Sequence, residues 1–177
     1  GPVAGPASTI RVGRSPHYVS HWPGRGAQAG TFTTLRPTTN VSYSAAVATP
    51  SGNFTVIARV AATDWSSGAI QGIANQYETG FGKRTWSLAL SATGQVSVYV
   101  SADGGAFSLA STTATIEGAG YTNGQTLWVR AVFTFSGGGF TCPVSISTTG
   151  ANYTALETIS VPAFTSTRVY QTSTPLT

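Results

Sequence analysis

Arg84-Thr85-Trp86-Ser87-Leu88-Ala89-Leu90, a short connection, and Gln95-Val96-Ser97-Val98-Tyr99-Val100-Ser101 form the stretch that decides the fold. In each run apolar side chains occupy every second position, from Trp86 to Leu90 and from Val96 to Val100. Successive side chains of a strand point to opposite faces, so each run presents one apolar face to a core. The connection ends in Gly94 and has the composition of a turn. The stretch therefore predicts an antiparallel β-hairpin at the centre of the protein.

The same alternation recurs before and after this hairpin. It predicts further strands over residues 54–60, 69–76, 106–116, 126–135 and 140–147, with strand-like pieces around Ile159 and Val169. Pro143 has no N–H to donate, so we expect its strand to lie at a sheet edge or to carry a bulge. Many short strands at this spacing predict an all-β fold, a two-sheet antiparallel jelly-roll sandwich.

The composition supports this fold class. Charged residues make up 8% of the 177-residue chain, far below the usual quarter or so. The net charge of +4 arises from few acids, and the nine cationic residues are spread along the chain. A nucleic-acid footprint needs a denser basic patch, so we do not expect nucleic acid as a partner.

The distribution of Pro and Gly divides the chain into two parts. Residues 1–52 are rich in Pro and Gly and contain only short strand-like pieces, such as Thr9–Val12 and Thr31–Leu35. We interpret them as an N-terminal arm that contributes edge strands or packs on a neighbouring subunit. Residues 53–177 carry the regular alternation and are expected to form the sandwich.

Metal, redox and membrane roles find little support in the sequence. Cys142 is the only cysteine and lies on an apolar strand face, so we expect a buried small hydrophobe. His17 and His21 are four residues apart, but the nearby prolines disfavour the helix that would make them a metal-binding pair. No apolar run approaches the length that spans a bilayer, so membrane insertion is not expected.

Catalytic patterns are also missing. Glycoside hydrolysis needs two carboxyl groups close together, and no two acids are spaced as neighbours on one strand face. The histidines lie in the irregular arm, without a Gly-x-Ser-x-Gly motif. Gly137–Gly139 has no following Lys and is typical of a hairpin turn, not a phosphate loop. We therefore predict that the protein is not an enzyme.

Four segments resemble a known family: residues 86–90, 93–104, 126–133 and 153–157. Their order and spacing are similar to the laminin-G-like, concanavalin A-like lectin jelly-roll domains. The closest similarity is to versions in structural (tail or capsid-surface) proteins of tailed phages that infect actinobacteria. The resemblance covers about residues 53–176.

The resemblance implies a non-enzymatic domain on a virion surface that binds host cell-surface carbohydrate for attachment. The alternative is a purely structural capsid-decoration, head-fibre or tail domain that contacts other virion subunits, as a homo-oligomer. Many laminin-G domains use calcium at the sheet rim. Because the five acids are far apart in this sequence, calcium is not favoured and no cofactor is expected.

Sugar binding needs exposed aromatic faces and planar polar groups. The predicted loops and strand ends offer six such ligand-binding candidates: Asp64, Trp65, Asn75, Tyr77, Arg84 and Asp103. Each also has an ordinary structural interpretation: Trp65 can cap the core, Asp103 can serve only its turn, and Arg84 can be a solvated strand end. Trp86 and Trp128 lie within strands and are expected in the core.

Overall fold

The computed structural model describes residues 8–13, 33–34, 49–77 and 83–171. These residues form ten strands and no helix. The strands are β1 (Ser8–Gly13), β2 (Thr33–Thr34), β3 (Phe54–Ala61), β4 (Gln71–Tyr77), β5 (Arg84–Leu90), β6 (Gln95–Val100), β7 (Ser108–Thr115), β8 (Thr126–Phe135), β9 (Phe140–Ser147) and β10 (Thr154–Val161). The predicted all-β class is confirmed, and the central hairpin is β5 and β6, with Leu88 opposite Val98.

The strands form two sheets. One has the order β10-β9-β8-β3-β1-β2, and the other has the order β4-β5-β6-β7. Neighbours from β3 to β10 in each sheet are antiparallel, whereas β1 pairs parallel with β3 and β2 pairs parallel with β1. The two-sheet antiparallel sandwich is therefore confirmed, and β1 and β2 lie at one edge of the larger sheet.

The core lies between the sheets and is rich in aromatic rings. Phe54 stacks on Phe133 with ring centroids 4.4 Å apart, and Trp86 meets Phe133 edge-on at 6.0 Å. Both arrangements are favourable for aromatic quadrupoles. Leu88 and Val98 of the central hairpin are fully buried beside them. Burial of this alternating apolar face is the main driving force for the fold.

The strand of Pro143 differs from its prediction. β9 lies between β8 and β10, so of the two predicted alternatives, an edge position or a bulge, the edge position is wrong. The irregularity lies on the partner strand, where the register of β10 shifts between Ala155 and Glu157. The buried position of Cys142 is confirmed, and its burial raises the pKa of the thiol to about 12.

Glu157 closes one side of the sandwich. β7 is an edge strand of the four-stranded sheet, and the Glu157 carboxylate of β10 accepts N–H bonds from Thr113 at 2.6 Å and Ala114 at 3.1 Å. The bonds from Ala114 and Thr113 lower the pKa of Glu157. This side chain joins the two sheets and satisfies donors that an edge strand would otherwise expose.

Candidate functional site

The six predicted ligand-binding residues do not form one site. Asp64 and Trp65 lie in the β3–β4 loop, at the end of the sandwich that holds the β5–β6 turn. Arg84 and Asp103 lie at the opposite end, with Asn75 on β4 between the two ends. Tyr77 ends β4 opposite Arg84, and its side chain lies outside the described part of the chain.

Trp65 is a structural residue. Its side chain is 0% exposed, its backbone N–H donates to Asn123 Oδ1 at 2.7 Å, and its indole Nε1–H donates to the Thr122 carbonyl at 2.8 Å. The β5–β6 turn packs on the same residue, since a Cβ at Gly94 would lie 3.2 Å from the Trp65 carbonyl oxygen. Trp65 joins three loops through its backbone and indole, and the buried indole offers no exposed face for a sugar, so Trp65 leaves the candidate site.

Asp64 supports the same loop. Its carboxylate accepts the Ser66 N–H at 2.9 Å, and the Ser66 hydroxyl donates to Glu117 Oε2 at 2.8 Å. Two acids that are distant in sequence therefore lie on either side of one serine. Within the described ranges, no three His, Cys, Asp or Glu side chains lie close enough to hold a metal ion. We interpret the Asp64–Glu117 pair as a cap for the loop.

Asp103 serves its own turn, as its structural interpretation predicted. The carboxylate accepts N–H bonds from Gly105 at 2.8 Å and from Ala106 at 3.2 Å. These two bonds are the main reason that the pKa of Asp103 lies below its ordinary value. The side chain is exposed, but its oxygen Oδ1 is engaged by the turn between β6 and β7.

The outer face of the four-stranded sheet brings other residues together. One row across all four strands holds Asn75, Ser87, Tyr99 and Leu109. Asn75 and Tyr99 are half-buried, and Leu109 is 54% exposed. The next row along the sheet is small throughout, with Gly72, Ala89, Ser97 and Ser111. We call these four residues the small-residue floor, since larger side chains stand beside it.

Two further side chains extend this face at the β6–β7 loop. The rings of Tyr99 and Phe107 meet edge to face with centroids 5.6 Å apart, and the Arg84 guanidinium carbon lies 5.6 Å from the Phe107 centroid. Arg84 also donates from Nη1 to the Gly105 carbonyl at 2.7 Å. Arg84 is therefore held in place and is not a solvated strand end.

Sequence reasoning singled out neither Tyr99 nor Phe107. Tyr99 was visible as the one large aromatic on the polar parity of β6. Phe107 precedes β7 and carried no periodic signal. Together with Asn75 and Arg84, they give the candidate site: an aromatic pair, a planar amide and a guanidinium beside the small-residue floor.

Comparisons with known proteins do not assign the chain to a family. Neither the protein-family models nor the curated protein sequences contain a match to the chain. In the described segments no helix has the length and apolar character needed to cross a bilayer.

Proposed function

We propose that the protein is a non-enzymatic carbohydrate-binding domain that holds a glycan on the outer face of its four-stranded sheet. The observation that carries this proposal is the half-buried pair Tyr99 and Phe107 beside the small-residue floor. Sugar rings present C–H groups that pack on aromatic side chains.

Two polar side chains supply what an aromatic pair lacks. Arg84 is oriented by its bond to the Gly105 carbonyl and keeps further guanidinium N–H groups. The Asn75 amide lies along the sheet, since its Nδ2 would be 3.3 Å from a Cβ placed at Gly72. Planar amides and guanidinium groups suit vicinal sugar hydroxyls, so the face combines apolar packing with directional hydrogen bonding.

The biological setting of this proposal is the surface of a phage virion, with host cell-surface glycan as the ligand. It rests on the resemblance to laminin-G-like jelly-roll domains of actinobacterial phages, and the all-β sandwich agrees with that architecture. In this setting the domain would adhere to the host and perform no chemistry on the sugar.

Binding of the full chain to host cell-wall polysaccharides and to a glycan array tests the proposal. A Tyr99→Ala, Phe107→Ala double variant should bind about tenfold more weakly, because it removes the stacking surface. Ile70→Ala is the matched control, since it removes a 65% exposed apolar side chain at the other end of the sandwich. Equal binding by the double variant, or no binding of the wild type to any glycan, would contradict the proposal.

A second candidate is a structural virion subunit that acts through protein contacts. The observation that favours it is β1, which adds parallel to β3 across a long sequence separation. Such a strand can be exchanged between copies of a chain, and exchange of this kind builds oligomers. Light scattering coupled to size exclusion separates the candidates: an oligomer that binds no glycan supports the structural role, and a glycan-binding monomer contradicts it.

A further inference from the structure

A second surface lies on the opposite sheet, around Trp128 and Arg130 of β8. The strand alternates strictly, with its apolar set buried and with Trp128 and Arg130 half-buried on the outer face. Trp128 was expected in the core, but it does not belong to the buried cluster that contains Trp86. The outer face of β8 therefore places an indole and a guanidinium two residues apart, on the same side of one strand.

The Arg130 guanidinium is fixed before any ligand arrives. Its Nε–H donates to Ser145 Oγ of β9 at 3.0 Å, and its central carbon lies 4.5 Å from the centroid of the Tyr153 ring. A guanidinium has five N–H donors, of which the Ser145 bond uses one. No described residue accepts from Nη1 or Nη2, and no described carboxylate pairs with Arg130. This half-buried cation is oriented and lacks a counter-ion in the described segments.

Trp128 is held beside it by the turn between β9 and β10. A Cβ at Gly150 would lie 2.8 Å from Trp128 Cε2, and the φ of +80° at Gly150 is one that glycine adopts without strain. The Gly150 N–H donates to Ser147 Oγ at 2.9 Å, which fixes the turn over the indole. The rigid ring gives the face an apolar wall next to the oriented guanidinium.

Within the described segments no acid lies on this face. Arg59 lies opposite Trp128 on β3. The four described acids lie elsewhere: Asp64 and Glu117 at the loop that contains Trp65, Asp103 in the β6–β7 turn, and Glu157 on the β7 edge. The face is therefore complementary to an anion.

We propose that the surface formed by Trp128, Arg130, Ser145 and Tyr153 binds the carboxylate of an acidic saccharide, that is, a uronic acid unit. With Nε–H engaged by Ser145, the Nη1–Nη2 edge of the guanidinium remains and matches the two oxygens of a carboxylate, and the Trp128 ring suits the sugar that carries it. Nucleic-acid binding draws on many phosphate contacts along a basic stripe, whereas this face has one oriented guanidinium. The site lies on the other sheet and stands independently of the glycan face proposed above.

Calorimetric titration of the full chain with oligogalacturonate, and with an uncharged galactan as comparison, tests the proposal. We expect saturable binding of the acidic oligomer only at this face, weakened about tenfold or more in Arg130→Gln because a charge-assisted contact is lost. Arg168→Gln is the matched control, since Arg168 is exposed in the segment after β10 and its loss removes the same charge. This variant should change the affinity by less than about twofold, as expected for a remote surface charge.

Ser145→Ala keeps the net charge but removes the bond that orients the guanidinium, so it should weaken binding to a smaller degree than Arg130→Gln. Near-ultraviolet circular dichroism establishes that each variant is folded. Equal losses in Arg130→Gln and Arg168→Gln would overturn the proposal, as would binding that Arg130→Gln leaves unchanged. Binding of an oligothymidine with no binding of oligogalacturonate would also overturn it. If Arg130→Gln loses oligogalacturonate binding and the Tyr99→Ala, Phe107→Ala variant keeps it, the site at Arg130 is separate from the glycan face.

Discussion

The two ends of the sandwich use the same kinds of residues for different purposes. At one end the β3–β4 loop presents Asp64 beside Trp65, and the aromatic ring is buried as the joint of three loops. At the other end the β6–β7 turn presents Asp103, followed by Phe107, and this ring is half-buried beside Arg84. The Trp65 end is therefore a structural joint, whereas the Phe107 end carries the glycan face proposed above.

Trp65→Ala has the largest expected effect and tests whether the Trp65 end is a structural joint. We expect it to lower the free energy of unfolding by about 3–5 kcal/mol, the range for deletion of a fully buried large aromatic side chain. The indole hydrogen bond to the Thr122 carbonyl is lost as well. Urea denaturation followed by tryptophan fluorescence measures the change, since three other tryptophans remain as probes.

Trp65→Phe is the matched control for that measurement, since it keeps an aromatic ring but not the indole N–H. It should cost less than Trp65→Ala. A loss below about 1 kcal/mol in Trp65→Ala would show that the loops do not depend on this ring, because such a value is typical of surface positions.

Asn123→Ala tests whether the β7–β8 loop depends on the same joint. The Asn123 side chain accepts the Trp65 backbone N–H at 2.7 Å, and its removal leaves that donor without its partner. We expect a loss of about 1–3 kcal/mol in the free energy of unfolding, the cost of an unsatisfied buried donor. Asn123→Asp keeps an acceptor oxygen and should be closer to wild type; equal losses in both variants would contradict this account.

The strands could be predicted from sequence because their signal is local. β8 and β9 have the predicted bounds, since alternate residues such as Val129 and Ala131 report directly on a buried face. The position of Pro143 could not be predicted in this way, because sheet order depends on pairing between distant segments. The same limit applies to β1, which pairs with β3.

The candidate site was less accessible to sequence reasoning. Trp65 was a ligand candidate with capping of the core as its alternative, and Trp128 was expected in the core; the structure buries Trp65 and places Trp128 on an outer face. A loop residue can be buried by other loops, and a strand residue of either parity can be half-covered by a turn. Such contacts join segments that are distant in sequence, so a local pattern of residues does not report them. Phe107 joined Tyr99 and Arg84 for the same reason, through the path of the β6–β7 loop.

Phe107→Ala tests how much the ring at the opposite end of the sandwich contributes to stability. Because Phe107 is half-buried and contacts Tyr99 and Arg84, we expect a loss of about 1 kcal/mol in stability, in the range of a single aromatic pair. The same urea denaturation measures it beside Trp65→Ala. A loss as large as that of Trp65→Ala would mean that both ends are structural and that the Phe107 ring is no ligand surface.

Asp103→Asn has the smallest expected effect and tests whether the charge of Asp103 stabilises the β6–β7 turn. The N–H bonds of Gly105 and Ala106 hold the folded-state pKa of Asp103 below its ordinary value of about 3.9. A lowered carboxyl pKa stabilises the fold above the ordinary pKa, and this contribution is lost as pH falls through the folded-state pKa.

Asp103→Asn should therefore be slightly less stable than wild type at pH 7, and the difference should vanish once the pH falls below the folded-state pKa of Asp103. Urea denaturation at a series of pH values measures it. Glu157→Gln is the matched comparison, since the pKa of Glu157 is lowered through its bonds to Ala114 and Thr113. It should show the same sign of pH dependence while also loosening the β7 edge. A difference between Asp103→Asn and wild type that is the same at every pH would mean that the carboxylate contributes shape and not charge to the turn. In that case the charge of Asp103 would be available to a ligand, and the two ends of the sandwich would differ in their acids as well as in their aromatic rings.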